Sequence, residues 1–311
     1  MKAFQLLSKN IKRIYFILPI FLFAVFLILF ITSSMLKIWI DNNQVFNSGI
    51  SLKPQFKYPI LKTEFIPQVS AKGAIIMDAD SKIVLYSKNP DLRFSQASTT
   101  KIMTALVGLD LFNPQDILIV KTATKEGSTL GLFQNEQFTF ENLLYAMLLP
   151  SANDAALAIA ENYPTGKEGF VEKMNEKAKD FSLVNTHYGD PSGLLDAQDY
   201  TTPFDLARLA SFAVGNPLIK KIVATKEKVI TDTSGVFVYP LENLNKLLGI
   251  DGINGVKTGF TQEAGGVLVT SKLEKGKTII IVIMGSDDRF LDTQKLLDLV
   301  NNNLSFLSIH P

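Results

Sequence analysis

The 311-residue sequence contains no cysteine, only two histidines and a single tryptophan. Without cysteine there is no disulfide, no thiol nucleophile and no thiolate metal site. The absence leaves the redox compartment open, since an exported chain can do without disulfides. The histidines are His187 and His310, the second next to the last residue. Catalytic zinc usually takes two or three histidines or sulfurs, so a multi-histidine zinc centre is excluded. A serine nucleophile, if present, would need a base other than the usual imidazole. Excess charge is lacking too: 31 Lys+Arg face 30 Asp+Glu, a formal net charge of +1. No global basic field points to nucleic acid. There is no internal repeat and no low-complexity tract. With 47% hydrophobic and 20% charged residues, the chain suits one ordinary globular domain plus an extra element, or two small domains.

A long hydrophobic run is present. Residues 14–36 read IYFILPIFLFAVFLILFITSSML, without a charge. A bilayer core needs about 20 apolar residues. Lys2, Lys9, Lys12 and Arg13 precede the run, which leaves residues 1–13 in the cytoplasm and everything after Lys37 outside. Pro19 is tolerable near the start of a membrane helix. A cleaved signal peptide, with Thr32–Ser34 as a weak cleavage site, is the competing reading. Its apolar region would be shorter, about 7–15 residues. The expectation is therefore a single-pass anchor over 14–36. A stalk over 37–66 follows, with little periodicity, and then an extracytoplasmic domain over 67–311.

Within that domain, GAIIMDADSKIVLYSKN places two apolar runs around Asp78–Lys82, a strand hairpin. GVLVTSKLEKGKTIIIVIMGS repeats the design with its turn at Glu274–Lys277, and NGVKTGFT reads as a third strand. Between them lies a helical middle. TTKIMTALVGLDLF is one helix, ENLLYAMLLPSANDAALAIAENY is two pieces meeting at Pro150, and TTPFDLARLASFAV begins with Thr202 as N-cap and Pro203 at the first position. FLDTQKLLDLVNNNLSFL closes the chain as an amphipathic helix. Strands first, helices in the middle, strands and a helix last argue for an α+β fold, an antiparallel sheet covered by helices.

Ser98 and Lys101 stand three residues apart at the start of a helix, on one face. A lysine with a pKa lowered by burial or a neighbouring cation can serve as base for a serine. The helix start adds free N–H groups that suit an oxyanion. Alone the pattern says little, because Ser34–Lys37 repeats it, and a helix cap followed by a solvated lysine would look the same. Ser151-Ala152-Asn153 gives S-x-N at a helix junction, a pattern also met at Ser8 and Ser87. Lys257-Thr258-Gly259 is the one KTG in the chain, on a predicted strand. S-x-x-K on a helix, then S-x-N between helices, then KTG on a strand form an ordered set shared by penicillin-binding proteins and class A β-lactamases.

The flanking sequence narrows this. SAKGAIIMDADSKIVLYSKNPDLRFSQASTTKIMTALVGLD, LLPSANDAALAIAEN, DPSGLLDAQDYTTPFDLARLA and GVKTGFTQEAGGVLVTS closely resemble the D-alanyl-D-alanine carboxypeptidases among the low-molecular-mass penicillin-binding proteins, serine peptidase family S11. The resemblance runs from about residue 66 to 306. Many relatives have proline where Gln96 stands, and often read Asn-Pro-His-Gly-Leu where this chain has Asp190-Pro191-Ser192-Gly193-Leu194. Relatives often carry a further C-terminal β domain and a C-terminal amphipathic anchor, so anchoring is expected to have moved to the N-terminus.

The resemblance implies a β-lactamase/transpeptidase-like fold and a substrate ending in D-Ala-D-Ala, the stem peptide of peptidoglycan, with β-lactams as acylating inhibitors and neither metal nor cofactor. It implies that Ser98 attacks the penultimate carbonyl, Lys101 takes its proton and Ser151 relays a proton to the leaving nitrogen. Asn153 is expected to bind the substrate amide. Lys257 would supply positive charge, and Thr258 would bind the terminal carboxylate. Gly259 would let the strand approach, and the N–H groups of Ser98 and Phe260 would form the oxyanion hole. Arg289 either serves the carboxylate or is a solvated arginine before a helix. His187 is expected to be structural or exposed. Of the rivals, a class A β-lactamase would need a glutamate in an E-x-x-x-N context. Glutamates 161, 168, 172, 176, 227 and 242 all lack it. A D,D-endopeptidase would use the same machinery on a longer substrate. A catalytically dead wall-binding domain has no support, since every expected side chain is present.

Overall fold

The computed structural model describes residues 25–39, 56–63, 65–195 and 197–309. The chain divides into a unit of Lys57–Leu307 and a second comprising Met1–Phe56 and Ser308–Pro311. In the second unit residues 25–39 form a helix, α1, with its large apolar side chains exposed. No helix among the described residues is long and apolar enough to cross a membrane. The first part of the predicted span, 14–24, lies outside the described residues, as do 40–55 of the predicted stalk.

The sheet is built from β2 (Gly73–Asp78), β3 (Val84–Lys88), β10 (Ile253–Thr261), β11 (Gly265–Glu274) and β12 (Lys277–Ser286). All neighbours are antiparallel, in the order β10-β11-β12-β2-β3. Strand β12 is a continuous apolar run because both of its faces are covered. Ile279, Ile281 and Ile283 join a core with Leu296, Leu297 and Val300 of α8 (Arg289–Asn303). Ile280, Val282 and Met284 join the larger core on the other face. The side-chain period of two thus splits one strand between two cores, and each buried isoleucine contributes about 1.5–3 kcal/mol.

The larger core packs under α2 (Lys101–Leu111), α3 (Phe140–Leu148), α4 (Asn153–Glu161), α5 (Gly166–Asp180), α6 (Pro203–Gly215) and α7 (Pro217–Val223). Local chemistry sets the helix starts. Thr139 Oγ1 accepts from Asn142 N at 3.2 Å to cap α3, and Thr202 Oγ1 accepts from Asp205 N at 3.1 Å ahead of Pro203 to cap α6. α2 is buried from Lys101 to Gly108, so its polar residues there must find partners inside the protein.

Three differences from the sequence reading matter. The helical middle also holds three small two-stranded sheets: β4 (Phe94–Ser95) with β7 (Tyr200–Thr201), β5 (Ile117–Ile119) with β6 (Gln137–Thr139), and β8 (Glu227–Thr231) with β9 (Val238–Glu242). The last helix stops at Asn303, and LSFL belongs to strand β13 (Leu304–Ile309). That strand pairs with β1 (Phe56–Leu61), so a paired strand occupies the end of the interval expected as stalk.

Candidate active site

Ser98 lies in a 3-10 turn, Ala97–Thr100, that runs into α2. It does not cap the helix. Thr100 holds the cap position of α2 and Gln96 that of the turn, the Gln96 side chain donating instead to His187 O at 2.9 Å. Ala97 is fully buried with a positive φ of 47°, a strained backbone of the kind that clusters at functional sites. Ser151 shares the feature, with φ 69°. It is not a cap either: Ala152 precedes α4 and makes no side-chain cap bond.

Lys101 is wholly buried. Its Nζ lies 3.0 Å from Ser98 Oγ, 2.7 Å from Asn153 Oδ1 and 2.8 Å from Ser192 O. Burial brings its pKa down to about 7, against the opposing pull of Asp190, Asp199 and Asp154. A neutral lysine amine has two N–H groups and one lone pair. Asn153 and Ser192 offer fixed acceptors for the two N–H groups, which leaves the lone pair for the Ser98 hydroxyl. The expected pair is therefore in contact, in the geometry a general base requires.

Asn153 is engaged at both ends. Its Nδ2 donates to Glu126 O at 2.8 Å and its backbone N to Ser128 O at 2.7 Å. The residue expected to bind substrate thus also ties Lys101 to the 126–132 loop. Ser151 Oγ is buried and has no hydrogen-bond partner, which costs about 1–3 kcal/mol unless a ligand supplies one.

The KTG residues lie on β10, the edge strand. A Cβ on Gly259 would sit 3.2 Å from Ala97 Cβ and 3.3 Å from Ser98 N, so a side chain there would press on the Ser98 turn. Lys257 and Thr258 are buried, while the Phe260 ring is exposed. Lys257 donates to Thr258 O at 3.1 Å. Its pKa is held well below the ordinary lysine value by burial, then by the charges of Lys101 and Arg289. Burial and the two neighbouring cations thus weaken the hold of Lys257 on the proton that its expected role requires. Arg289 is neither solvated nor remote: half-buried at the start of α8, it donates from Nη1 to Gly259 O at 2.8 Å. It holds the KTG strand and supplies a cation beside it. His187 is exposed, its Nδ1 2.8 Å from Gln198 O. His310 lies outside the described residues. Among the described residues no group of His, Asp and Glu is placed to hold a metal ion.

The sequence reading quoted Asp190 to Leu194 as a variant motif and gave it no task. In the structure this loop carries the Ser192 carbonyl to Lys101. Thr104 Oγ1 of α2 donates to Pro191 O at 2.6 Å. Gly193 has φ 81°, and a Cβ on it would lie 1.8 Å from Ala97 O. The glycine is required both for the turn and for its contact with Ala97. The three motif triplets alone would not have revealed this wall, because its contribution is a backbone carbonyl.

Comparison with known proteins places the chain in a family. The family model described as D-alanyl-D-alanine carboxypeptidase, Peptidase S11, matches residues 61–288. An Escherichia coli D-alanyl-D-alanine endopeptidase is 33% identical over 239 residues, covering 74% of this chain and 77% of that protein. The Bacillus subtilis D-alanyl-D-alanine carboxypeptidase DacF is 34% identical over 239 residues, with 73% of this chain and 61% of that longer protein covered. A crystal structure of the Streptomyces K15 DD-transpeptidase superposes with a TM-score of 0.71 at 32% identity, over 76% of this chain and 98% of that one. With the fold, the ordered motifs and most of the chain matched, the protein belongs to the D-alanyl-D-alanine carboxypeptidase family, peptidase S11, of serine hydrolases.

Proposed function

We propose that this protein removes the terminal D-alanine from peptidoglycan stem peptides through an acyl-enzyme on Ser98. The observation that carries the reading is the Lys101 amine, 3.0 Å from Ser98 Oγ with two acceptors behind it. Ser98 attacks the penultimate carbonyl as its proton passes to Lys101. The oxyanion is received by the N–H groups of Ser98 and Phe260, the latter on the edge strand beside the turn. Ser151, whose hydroxyl lacks a partner in the free site, passes a proton to the departing D-alanine nitrogen, and Asn153 orients the substrate amide. Thr258 and Lys257 receive the terminal carboxylate, with Arg289 adding charge. An arriving carboxylate gives Lys257 the counterion it lacks and so favours its proton. Water then releases the shortened peptide. β-Lactams acylate the same serine and block it.

The test is intact mass of the full-length protein in detergent, with benzylpenicillin, against Ser98→Ala. A lasting adduct on wild type alone, with D-alanine release from a peptide ending in D-Ala-D-Ala, supports the reading. No adduct and unconsumed drug would sink it. Rapid consumption of drug with no lasting adduct would make the protein a β-lactamase.

A second reading is favoured by one observation, the similarity to a protein named D-alanyl-D-alanine endopeptidase. Release of monomers from a D,D-cross-linked dimer, faster than D-alanine release, would select it. We also propose that residues 14–36 anchor the protein in the cell membrane with its catalytic unit outside. The uncharged run and its four preceding basic residues support this. Protease accessibility of the catalytic unit in spheroplasts checks it: protection of that unit would refute the orientation.

A further inference from the structure

The loop that carries the Ser192 carbonyl to Lys101 is gathered around an acid. The Asp190 carboxylate accepts from the N–H groups of Ser192, Gly193, Leu194 and Leu195 at 2.6, 2.9, 2.9 and 2.8 Å. It also accepts from the Ser192 hydroxyl at 2.5 Å. A second acid stands behind it. Asp199 is fully buried, and its Oδ1 accepts from Gly189 N at 2.9 Å. No donor reaches its buried Oδ2, and the group it meets there is the Asp190 carboxyl, close enough to exchange a hydrogen bond with it. Two facing carboxyls share such a bond only when one of them keeps a proton. Asp190, with five donors, is the natural anion, and Asp199 is the natural acid.

We propose that Asp199, carrying this shared proton, is a positioning residue for Lys101. It donates to Asp190, keeps the 190–195 loop closed, and so keeps the Ser192 carbonyl on the lysine amine. The inference deepens the peptidase reading and rests on it. The loop has little slack, because Pro191 O is held by Thr104 and Gly193 lies against Ala97 O. A second negative charge inside the loop would be felt at both ends of the Ser98–Lys101 pair.

The consequence is a narrow pH window. Burial, and then Asp190, pushes the Asp199 pKa up to about 8, while burial brings Lys101 down to about 7. Acylation should rise as Lys101 loses its proton and fall as Asp199 loses its own, a bell-shaped profile. Asp190 and Tyr188, which face Asp199, do not supply this alkaline fall, and the Asp199→Asn variant separates it from loss of a proton at Lys257 beside Lys101. Asp190 stays below the ordinary carboxylate range, because its hydrogen bonds from Asp199, Ser192 and Leu195 outweigh the effect of burial. Tyr188 is raised well above the ordinary phenol value by burial, then by Asp199 and Asp205, and stays neutral. His187, on the neighbouring segment, faces solvent.

The experiment is the acylation rate with a fluorescent penicillin from about pH 5 to about pH 10, on full-length wild type, Asp199→Asn and Asp199→Leu. Asparagine can still donate to Asp190 and accept from Gly189, but it cannot ionise. The alkaline limb should move up by about one pH unit or more in Asp199→Asn, with the acid limb kept. Asp199→Leu should lose roughly tenfold or more at neutral pH, a rate that Asp199→Asn restores. An alkaline limb unmoved in Asp199→Asn, with wild type acylated normally, overturns this inference alone. A wild type that is never acylated overturns the peptidase reading with it. Should the leucine variant fail to fold, infrared spectra decide. Wild type at neutral pH should show the carbonyl stretch of a buried protonated carboxyl, lost in Asp199→Asn. Its absence from wild type refutes the proposal.

Discussion

Two loops reach the Ser98–Lys101 pair, and each is gathered by a buried aspartate. The 126–132 loop is held by Asp154, whose carboxylate accepts from the N–H groups of Leu130, Gly131 and Leu132 and of its own neighbour Ala155. The 190–195 loop is held by Asp190 in the same manner. Asp154 sits in the first turn of α4, where the helix N-terminus favours a negative charge. Asp190 has no helix behind it and leans on a second acid. The first loop acts on Lys101 through Asn153, the second through a backbone carbonyl. One wall is thus fixed by a helix, and the other by a proton.

The largest effect that sharpens this contrast is on stability. Asp154→Ala strands several buried N–H groups at once, and should cost on the order of 3–5 kcal/mol, read by urea unfolding. A loss under about 1 kcal/mol would mean that the loop does not depend on its aspartate. Asp190→Ala should show its effect in catalysis as well. Lost position at Lys101 should lower the benzylpenicillin acylation rate by roughly 10²-fold, beside a loss of stability comparable to that of Asp154→Ala, since as many donors are stranded. If the two variants behave alike in both assays, the division between helix-fixed and proton-fixed walls fails.

The glycines of the two loops give a finer comparison. Gly127 and Gly193 both have positive φ, 66° and 81°. Alanine at either position carries roughly 1–2 kcal/mol of backbone strain. At Gly127 the new Cβ meets the Asn153 side-chain nitrogen at 2.5 Å, whereas at Gly193 it meets the Ala97 carbonyl at 1.8 Å. The Asn153 side chain can give way only by loosening its bonds to Lys101 and Glu126 O, and the Ala97 carbonyl beside Ser98 cannot turn at all. Gly193→Ala should therefore lower acylation more than Gly127→Ala, as measured with the same penicillin.

Much of this was legible in the sequence, for local reasons. The hairpins of the sheet, the break at Pro150 and the Thr202–Pro203 start of α6 follow from period-two runs and capping residues within a few positions of one another. Ser98 and Lys101 were legible because S-x-x-K stands in order with S-x-N and KTG, whereas the i, i+3 spacing alone recurs at Ser34–Lys37. The β1–β13 pair was not, because its strands are joined only by the return of the whole chain. Asp190 and Asp199 were hidden for a related reason. Each is an ordinary loop acid until closure buries them against one another, and the group they serve is the carbonyl of Ser192, which every residue possesses.

The smallest effect also separates the two walls most cleanly, because it depends only on a proton. The Asp199 pKa is about 8 in the folded protein, above its unfolded value of about 4. Between those values the folded protein binds more protons than the unfolded chain, so this group's stabilisation is full at acid pH and is lost as pH rises toward 8. Burial is the first cause of the raised value, and the decline should appear as a difference of at least about 2–4 °C in Tm for a chain of this size. Asp199→Asn removes the proton and with it this decline. The Tm gap between wild type and variant should therefore change in the variant's favour from about pH 5 to pH 8.5. A gap that stays constant would place the proton elsewhere, and the 190–195 wall would then be fixed as rigidly as the one on Asp154.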